Sequence, residues 1–292
     1  MKHFRIWLLL SITLLPLYNV IGQQNKNITT DESNLKHDSR KHKRDSLRKT
    51  LKGKHFSLKA NWMWAKLSTS VLFERPGQGI LAIKLSMEED FRLPDSKSLV
   101  SINGLYRITP KSGLFGEYYG LSRQRTIRSE KDIIFKGDTI PAGTESSYYF
   151  NTQVASIGYM FTIFEDPKFF FGIYFNAYIM KLGVGVESKI FGVKADANLL
   201  APLPDVGLMF SYKINSWMFI DIVGGTFYVK AGEFRGWLNN FTGMLAFKPT
   251  KWLGISIGYQ SFNVHVIFLE DEYKATIDYS FRGPAAGLSF TF

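Results

Sequence analysis

Residues 272–292, Glu-Tyr-Lys-Ala-Thr-Ile-Asp-Tyr-Ser-Phe-Arg-Gly-Pro-Ala-Ala-Gly-Leu-Ser-Phe-Thr-Phe, decide the fold. In the first half Ala275, Ile277, Tyr279 and Phe281 share one parity, while Lys274, Thr276, Asp278, Ser280 and Arg282 share the other. That is the alternation of a strand lying between an apolar and a wet surrounding. After Gly283-Pro284 the phase flips: Leu288, Phe290 and Phe292 become the apolar parity, with Gly287, Ser289 and Thr291 opposite. Arg282-Gly283-Pro284 is therefore expected to form a bulge that adds one residue. This reading turns Asp278 and Arg282 toward the inside of a closed sheet.

A strand of this length, ending the chain on an aromatic residue, resembles the closing strand of Gram-negative outer-membrane β-barrels. The resemblance implies an integral outer-membrane protein in contact with lipid and lipopolysaccharide, whose terminal Phe292 is read by the barrel-assembly machinery. The start of the chain agrees. Lys2, His3 and Arg5 precede an apolar run from Ile6 to Ile21 that contains Pro16. This is the layout of a cleaved secretory signal peptide over 1–22; an anchoring helix needs roughly 20 apolar residues. The chain has no Cys, which removes a lipid anchor, disulfides and thiol chemistry.

The net charge of +11 suggests nucleic acid until it is divided along the chain. Residues 1–22 carry +2, and residues 23–54 carry ten Lys and Arg against four acids, leaving only +3 for the rest. Segment 23–54 lacks aromatic and almost all apolar side chains, so it is expected to be a disordered, basic periplasmic tail. Nucleic acid is not an expected partner. With mean hydropathy of -0.06 and no later long apolar run, membrane crossing by helices is excluded. Aromatics make up 15% of the chain and fall mostly in alternating runs after residue 55, as in strands that carry interfacial girdles. A soluble sandwich would use strands of about 5 to 6 residues, shorter than the runs found here.

Eleven runs alternate: 56–73, 79–87, 98–108, 113–128, 147–164, 168–184, 203–214, 216–232, 234–247, 251–268 and 272–292. Four tight turns punctuate them: Thr109-Pro110-Lys111-Ser112, Glu165-Asp166-Pro167-Lys168, Asn215-Ser216 and Lys248-Pro249-Thr250-Lys251. Longer polar connections, Ser129–Ser146 and Glu187–Pro202, alternate with them. Short turns on one rim and long loops on the other is the asymmetry of a transmembrane barrel. An even strand count with both ends periplasmic requires 79–87 and 98–108 to be one strand interrupted by 87–97. The fold class is thus all-β, a transmembrane antiparallel up-and-down barrel over 55–292 with ten strands; twelve is the alternative, if the first run hides a hairpin.

Parity assigns facing. Leu253, Ile255, Ile257 and Tyr259 face lipid, as do Val206, Leu208, Phe210 and Tyr212, then Val100, Ile102, Tyr106 and Ile108, and Phe171, Ile173, Phe175 and Ile179. For 147–164 both parities are apolar and no facing follows. The interior then holds a polar network of Lys59, Asn61, Arg107, Glu117, Arg123, Asp205, Lys213, Asp221, Gln260, Asp278 and Arg282. Opposite charges in a narrow lumen are expected to pair, because an unpaired charge there is costly. Ten strands lie just above the size that interior side chains fill alone, so an open diffusion pore is not expected.

Catalytic signals are sparse. Ser261, His265 and the acids Glu270, Asp271 and Glu272 are the only grouping like a Ser/His/acid site. Four residues along a strand separate Ser261 and His265 by about 13 Å. The triplets Glu88-Glu89-Asp90 and Glu270-Asp271-Glu272 suit either divalent cations bridging lipopolysaccharide or solvated loops. No cofactor or metal site is expected.

Leu105-Tyr106-Arg107-Ile108-Thr109-Pro110-Lys111, Gly116-Glu117-Tyr118-Tyr119-Gly120-Leu121-Ser122-Arg123, the Gly137-Asp138 to Gly143-Thr144 loop and Asp278-Tyr279-Ser280-Phe281-Arg282-Gly283-Pro284 together resemble a group of uncharacterised Gram-negative outer-membrane barrels. The Gln after the leader is similar to secreted Bacteroidota proteins. The resemblance implies fold and location without a known activity. The expected function is a non-enzymatic barrel, structural or surface-exposed, with limited small-solute passage. The alternative is a lipid-modifying hydrolase with its site at the extracellular rim near His265.

Overall fold

A computed structural model describes residues 56–74, 82–128, 133–135, 138–188, 193–232, 234–269 and 274–292. The expectations for the leader, the basic segment and the triplet at 270–272 lie outside the described residues.

Among the described residues thirteen strands follow in order: β1 (Phe56–Glu74), β2 (Ala82–Ser86), β3 (Ser96–Thr109), β4 (Ser112–Arg128), β5 (Ile133–Phe135), β6 (Asp138–Ile140), β7 (Glu145–Glu165), β8 (Phe169–Ser188), β9 (Val193–Lys213), β10 (Met218–Ala231), β11 (Phe234–Phe247), β12 (Leu253–Leu269) and β13 (Lys274–Thr291). Each long strand pairs antiparallel with its neighbour, and β13 pairs with β1, so the sheet closes. Both β2 and β3 lie along the same edge of β1, β2 against 70–74 and β3 against 56–66. They are the two halves of one wall position, interrupted as parity required, and the wall has ten strands. β5 and β6 form a separate hairpin inside the β4–β7 connection. The connection read as running from Glu187 to Pro202 is mostly strand, since β9 begins at Val193 and pairs with β8 throughout. From Val193 on, that stretch keeps the backbone extended although it carries Lys194, Asp196 and Asn198 and ends at Pro202.

The four turns sit on one rim, and side chains close them. Asp166 accepts from the backbone N–H groups of Lys168 and Phe169 at 2.7 and 2.8 Å, and Asn215 from those of Trp217 and Met218 at 3.0 and 2.9 Å. Thr250 accepts from Leu253 N–H at 3.0 Å. Both chain ends of the barrel reach this same rim, where Phe292 N–H donates to Phe56 O at 2.8 Å and the two rings stack.

Above the turn rim the outer surface is an apolar belt. It is made by Leu58, Ile102, Leu114, Ile157, Phe175, Leu208, Ile222, Ile255, Ile257 and Leu288, all exposed. Tyr and Trp flank it: Tyr212, Trp217 and Trp252 near the turns, and Trp62, Trp64, Tyr118 and Tyr259 on the far side. An apolar band between two aromatic girdles is the outer face of a membrane-spanning barrel. The outward assignments made for 98–108, 168–184, 203–214 and 251–268 hold.

The expected bulge at Arg282-Gly283-Pro284 does not form. Along the whole of β13 the register with β1 and with β12 stays constant, from Glu74↔Lys274 to Ser57↔Thr291 and from Leu269↔Lys274 to Leu253↔Phe290. Only the pairs of Trp64 and Ala65 with Pro284 and Gly283 drop out on the β1 side. Even-numbered amides of β13 point to β1, as Phe292 does, so the N–H that Pro284 lacks is one owed to that strand. Gly283 is needed beside it, because a Cβ there would fall on the carbonyl oxygen of Trp64.

Without a bulge the strand keeps one facing: Tyr279 and Phe281 are buried inside, and Asp278 and Arg282 are exposed outside. The apolar parity changes because the surroundings change. Below Pro284 the outside is lipid and the inside is polar; above it the outside is water and the inside is dry.

Candidate functional site: the filled interior

The inside of the belt carries most of the expected polar groups. Lys59, Asn103 and Glu117 stand in one cross-strand row of β1, β3 and β4. Asn61 Nδ2 donates to Asn103 Oδ1 at 2.6 Å. Glu117 is in reach of Asn103 and Ser101, and Lys59 feels both Glu117 and, across the lumen, Asp221. Asp221 in turn accepts from Ser211 Oγ at 2.6 Å. Near the turns, Arg107 pairs with Glu165 at 3.5 Å and lies over the Phe170 ring, while Lys213 stands 6.0 Å from the Phe219 ring. Gln260 faces inward between Thr242 and Gly283. Asp205, 2% exposed, accepts from Asn240 Nδ2 at 2.7 Å, and Tyr174 OH donates to Asn240 Oδ1 at 3.2 Å. These three side chains nest against Gly207 and Gly225, where any Cβ would collide with Tyr174.

Above this polar layer the interior is a contiguous apolar core. Met63 and Leu67 of β1, Tyr119 and Leu121 of β4, Phe150 and Val154 of β7, Tyr178 and Met180 of β8 meet Leu203, Leu238, Phe262, Val264, Tyr279 and Phe281 from β9 and β11 to β13. Phe262 stacks on Phe281 at 5.3 Å, and Tyr119 meets both edge-on. The segment 87–95, between the two halves of the interrupted strand, folds into this core: Met87 and Leu93 are buried, and Phe91 packs on Tyr148 at 5.1 Å.

Arg123 holds that segment. It is 0% exposed, stacks over Phe150 at 5.1 Å, pairs with Glu88, and donates to Thr69 Oγ1 at 2.7 Å and Pro94 O at 3.4 Å. Glu88 also accepts from Thr69 N–H at 2.9 Å, and Asp90 from Ser86 N–H at 2.7 Å. The triplet Glu88-Glu89-Asp90 thus spends two carboxylates on its own fold. Among the described residues no three side chains are grouped to hold a metal ion.

Two members expected in the lumen stand outside it. Asp278, with 53% of its side chain exposed, meets His265 Nδ1 at 2.5 Å on the outer wall, and Ser70 Oγ donates to its other oxygen at 3.3 Å. Arg282 lies on the same outer face, opposite Lys66 of β1. The reason is the missing bulge, which leaves their parity outward. His265 packs edge-on against Trp237 at 5.7 Å. Ser261 shares its face but sits four residues down the strand and is bonded to Asn263 at 3.3 Å.

Two wall joints are incomplete among the described residues. β3 pairs with β4 only from Thr109↔Ser112 to Ser101↔Tyr119, although β3 begins at Ser96 and β4 runs to Arg128, so β4 above Tyr119 pairs with neither β3 nor β2. β9 pairs with β10 only from Lys213↔Phe219 to Val206↔Thr226, although β9 continues to Val193 and β10 to Ala231. Ile214 N–H, on an even position, bonds toward β10, and Lys213 N–H bonds toward β8. Pro202 and Pro204 are even, so the two N–H groups they lack are ones β10 would have received. The ladder stops at the first residue below them that it can use.

The chain is a closed barrel with a lipid-facing belt and an interior that carries a polar layer and a buried apolar cluster. Solved outer-membrane barrels are similar in fold. The outer-membrane protease OmpT of Escherichia coli matches at 10% identity and TM-score 0.49, over 81% of this chain and 97% of that one. The translocator domain of the autotransporter NalP of Neisseria meningitidis matches at 8% and 0.39, over 89% and 98%. The toluene transporter TodX of Pseudomonas putida matches at 9% and 0.34, over 82% and 90%. Values of this size say nothing about activity or ligand. No protein-family model matches the chain, nor does any curated protein sequence.

Proposed function

We propose that the protein is a sealed, non-enzymatic barrel of the outer membrane, with both barrel ends on the periplasmic side and a water-facing crown at the cell surface. One observation supports this: the buried apolar side chains of the upper interior, with Met87 and Leu93 of segment 87–95 among them, form one cluster drawn from strands all round the wall. A hydrated ion crossing it would have to shed most of its water among Tyr, Phe, Leu and Val side chains, which is costly. The polar layer beneath is accordingly read as structural, with Arg107 paired to Glu165 and Lys59 facing the charges of Glu117 and Asp221. The periplasmic placement of the ends rests on their sharing a rim with the short turns. The aromatic closing strand fits recognition by the barrel-assembly machinery.

The pair of His265 and Asp278 is read as a surface contact. The Ser70 hydroxyl bonds the carboxylate rather than the imidazole, so among the described residues the pair lacks the nucleophile–base contact of a Ser/His/acid site. The test is planar-bilayer recording of the refolded full chain. Insertion without ohmic steps is expected; regular unitary steps in the pure protein would sink the sealed-lumen reading.

A further inference from the structure

On the outer wall, just above the aromatic girdle, a recess of about 250 Å³ is lined by Lys66 and Ser68 of β1, Ser280 and Arg282 of β13 and Asn263 of β12. It opens at the seam where Pro284 removes the pairing between β1 and β13. Lys66 and Arg282 are direct cross-strand partners, an arrangement of like charges that is unfavourable without an anion. Among the described residues no acid pairs with either. The nearest carboxylate on the same strand, Asp278, is occupied by His265 and Ser70. Around the two cations stand the hydroxyls of Ser68 and Ser280 and the amide of Asn263, neutral donors suited to the several oxygens of a phosphate.

Height supplies the second argument. Trp64 precedes Lys66 by two residues on the same face, Tyr259 precedes Ser261 likewise, and Trp62 and Trp64 contact each other at 4.7 Å. Interfacial Trp and Tyr lie at headgroup level, so the recess sits where lipid phosphates are, with Pro284, Ala286, Leu288 and Ile257 directly below to meet acyl chains.

We infer that this recess binds the phosphate of a phosphorylated glycolipid of the outer leaflet, its chains lying on the Trp62–Leu288 face. The inference rests on the membrane placement proposed above.

The test uses the refolded full chain in detergent micelles, titrated with lipid A, with lipid A stripped of phosphate, and with inorganic phosphate, bound species being read by native mass spectrometry. Wild type is expected to prefer lipid A over the dephosphorylated form, and K66Q/R282Q to lose about thirtyfold in affinity, with Lys181→Gln, an exposed cation on β8, unchanged. Equal affinity of wild type and double variant, or of the two glycolipids, overturns the inference. Inorganic phosphate binding as tightly as lipid A replaces the lipid site with a free-anion site and also overturns it. Both substitutions are exposed and relieve a repulsion, so the variant should fold; heat-dependent gel mobility checks this, and the single variants Lys66→Gln and Arg282→Gln serve if the double does not. Flotation with liposomes separates the failures: a chain that does not float refutes the membrane placement, whereas one that floats without discriminating refutes only the site.

Discussion

Arg123 is a full charge with no exposed surface, and its partners show why it is tolerated: Glu88, Thr69, Pro94 and the face of Phe150 all come to it. Removing one member of a buried pair leaves the other charge uncompensated and costs several kcal/mol, more than the pair itself contributes. Glu88→Gln is therefore expected to destabilise the barrel by about 3 kcal/mol, and Arg123→Met by a similar amount, measured by urea unfolding of the refolded protein. Because each residue's loss is mostly the stranding of the other, the double variant should lose less than the two single losses together. Strict additivity would mean that the contact does not tie segment 87–95 to the wall. Alternation could place Arg123 inside, but nothing local in the sequence announces Glu88 as its counterion. The two are joined by a chain excursion that periodicity does not describe.

At the scale of strands, the same alternation was legible wherever one side of the wall was lipid and the other polar, as in β3, β9 and β12. It misled where the surroundings exchange roles. In β7 both parities are apolar because Tyr148, Phe150 and Val154 face the dry upper interior, while Ile157, Tyr159 and Phe161 face lipid lower down. In β13 the same exchange imitated a bulge. A parity pattern reports which side is wetter, and it cannot say on which side of the wall the water lies. Prolines are the more literal signal, since their missing N–H groups account for the gap between β1 and β13 and for the short ladder between β9 and β10. Amides of β10 above Thr226 are accordingly expected to exchange with solvent faster than those from Phe219 to Thr226, whose ladder with β9 is intact. Pro204→Val restores one donor on the β10 side, and hydrogen-exchange mass spectrometry should then show added protection at the top of β10. Unchanged exchange would mean that β9 is held away for another reason.

The whole molecule stands in two solvents, and the contrast can be tested by depth. Ile257 lies in the belt and Gln153 faces outward on β7 above it. Ile257→Arg should cost about 2–4 kcal/mol of stability in bilayers, whereas Gln153→Arg should cost little, as read by unfolding of the liposome-inserted protein. Equal costs would remove the belt. Strand number, closure, the turn rim and the lipid-facing residues could all be read from sequence because lipid imposes a regular demand on every strand. The filling above could not, because a dry core built from all sides of a cylinder leaves each strand looking like part of an ordinary soluble sheet.

The proline in the last strand bears on how the cylinder shuts. From the stacked pair of Phe56 and Phe292 the first and last strands can zip together up to Met63 and Ala285, where the next rung is missing. Joining must begin afresh at Lys66 and Arg282, against their mutual repulsion. The final strand thus docks in two instalments, and an anion that neutralises the second would hasten it.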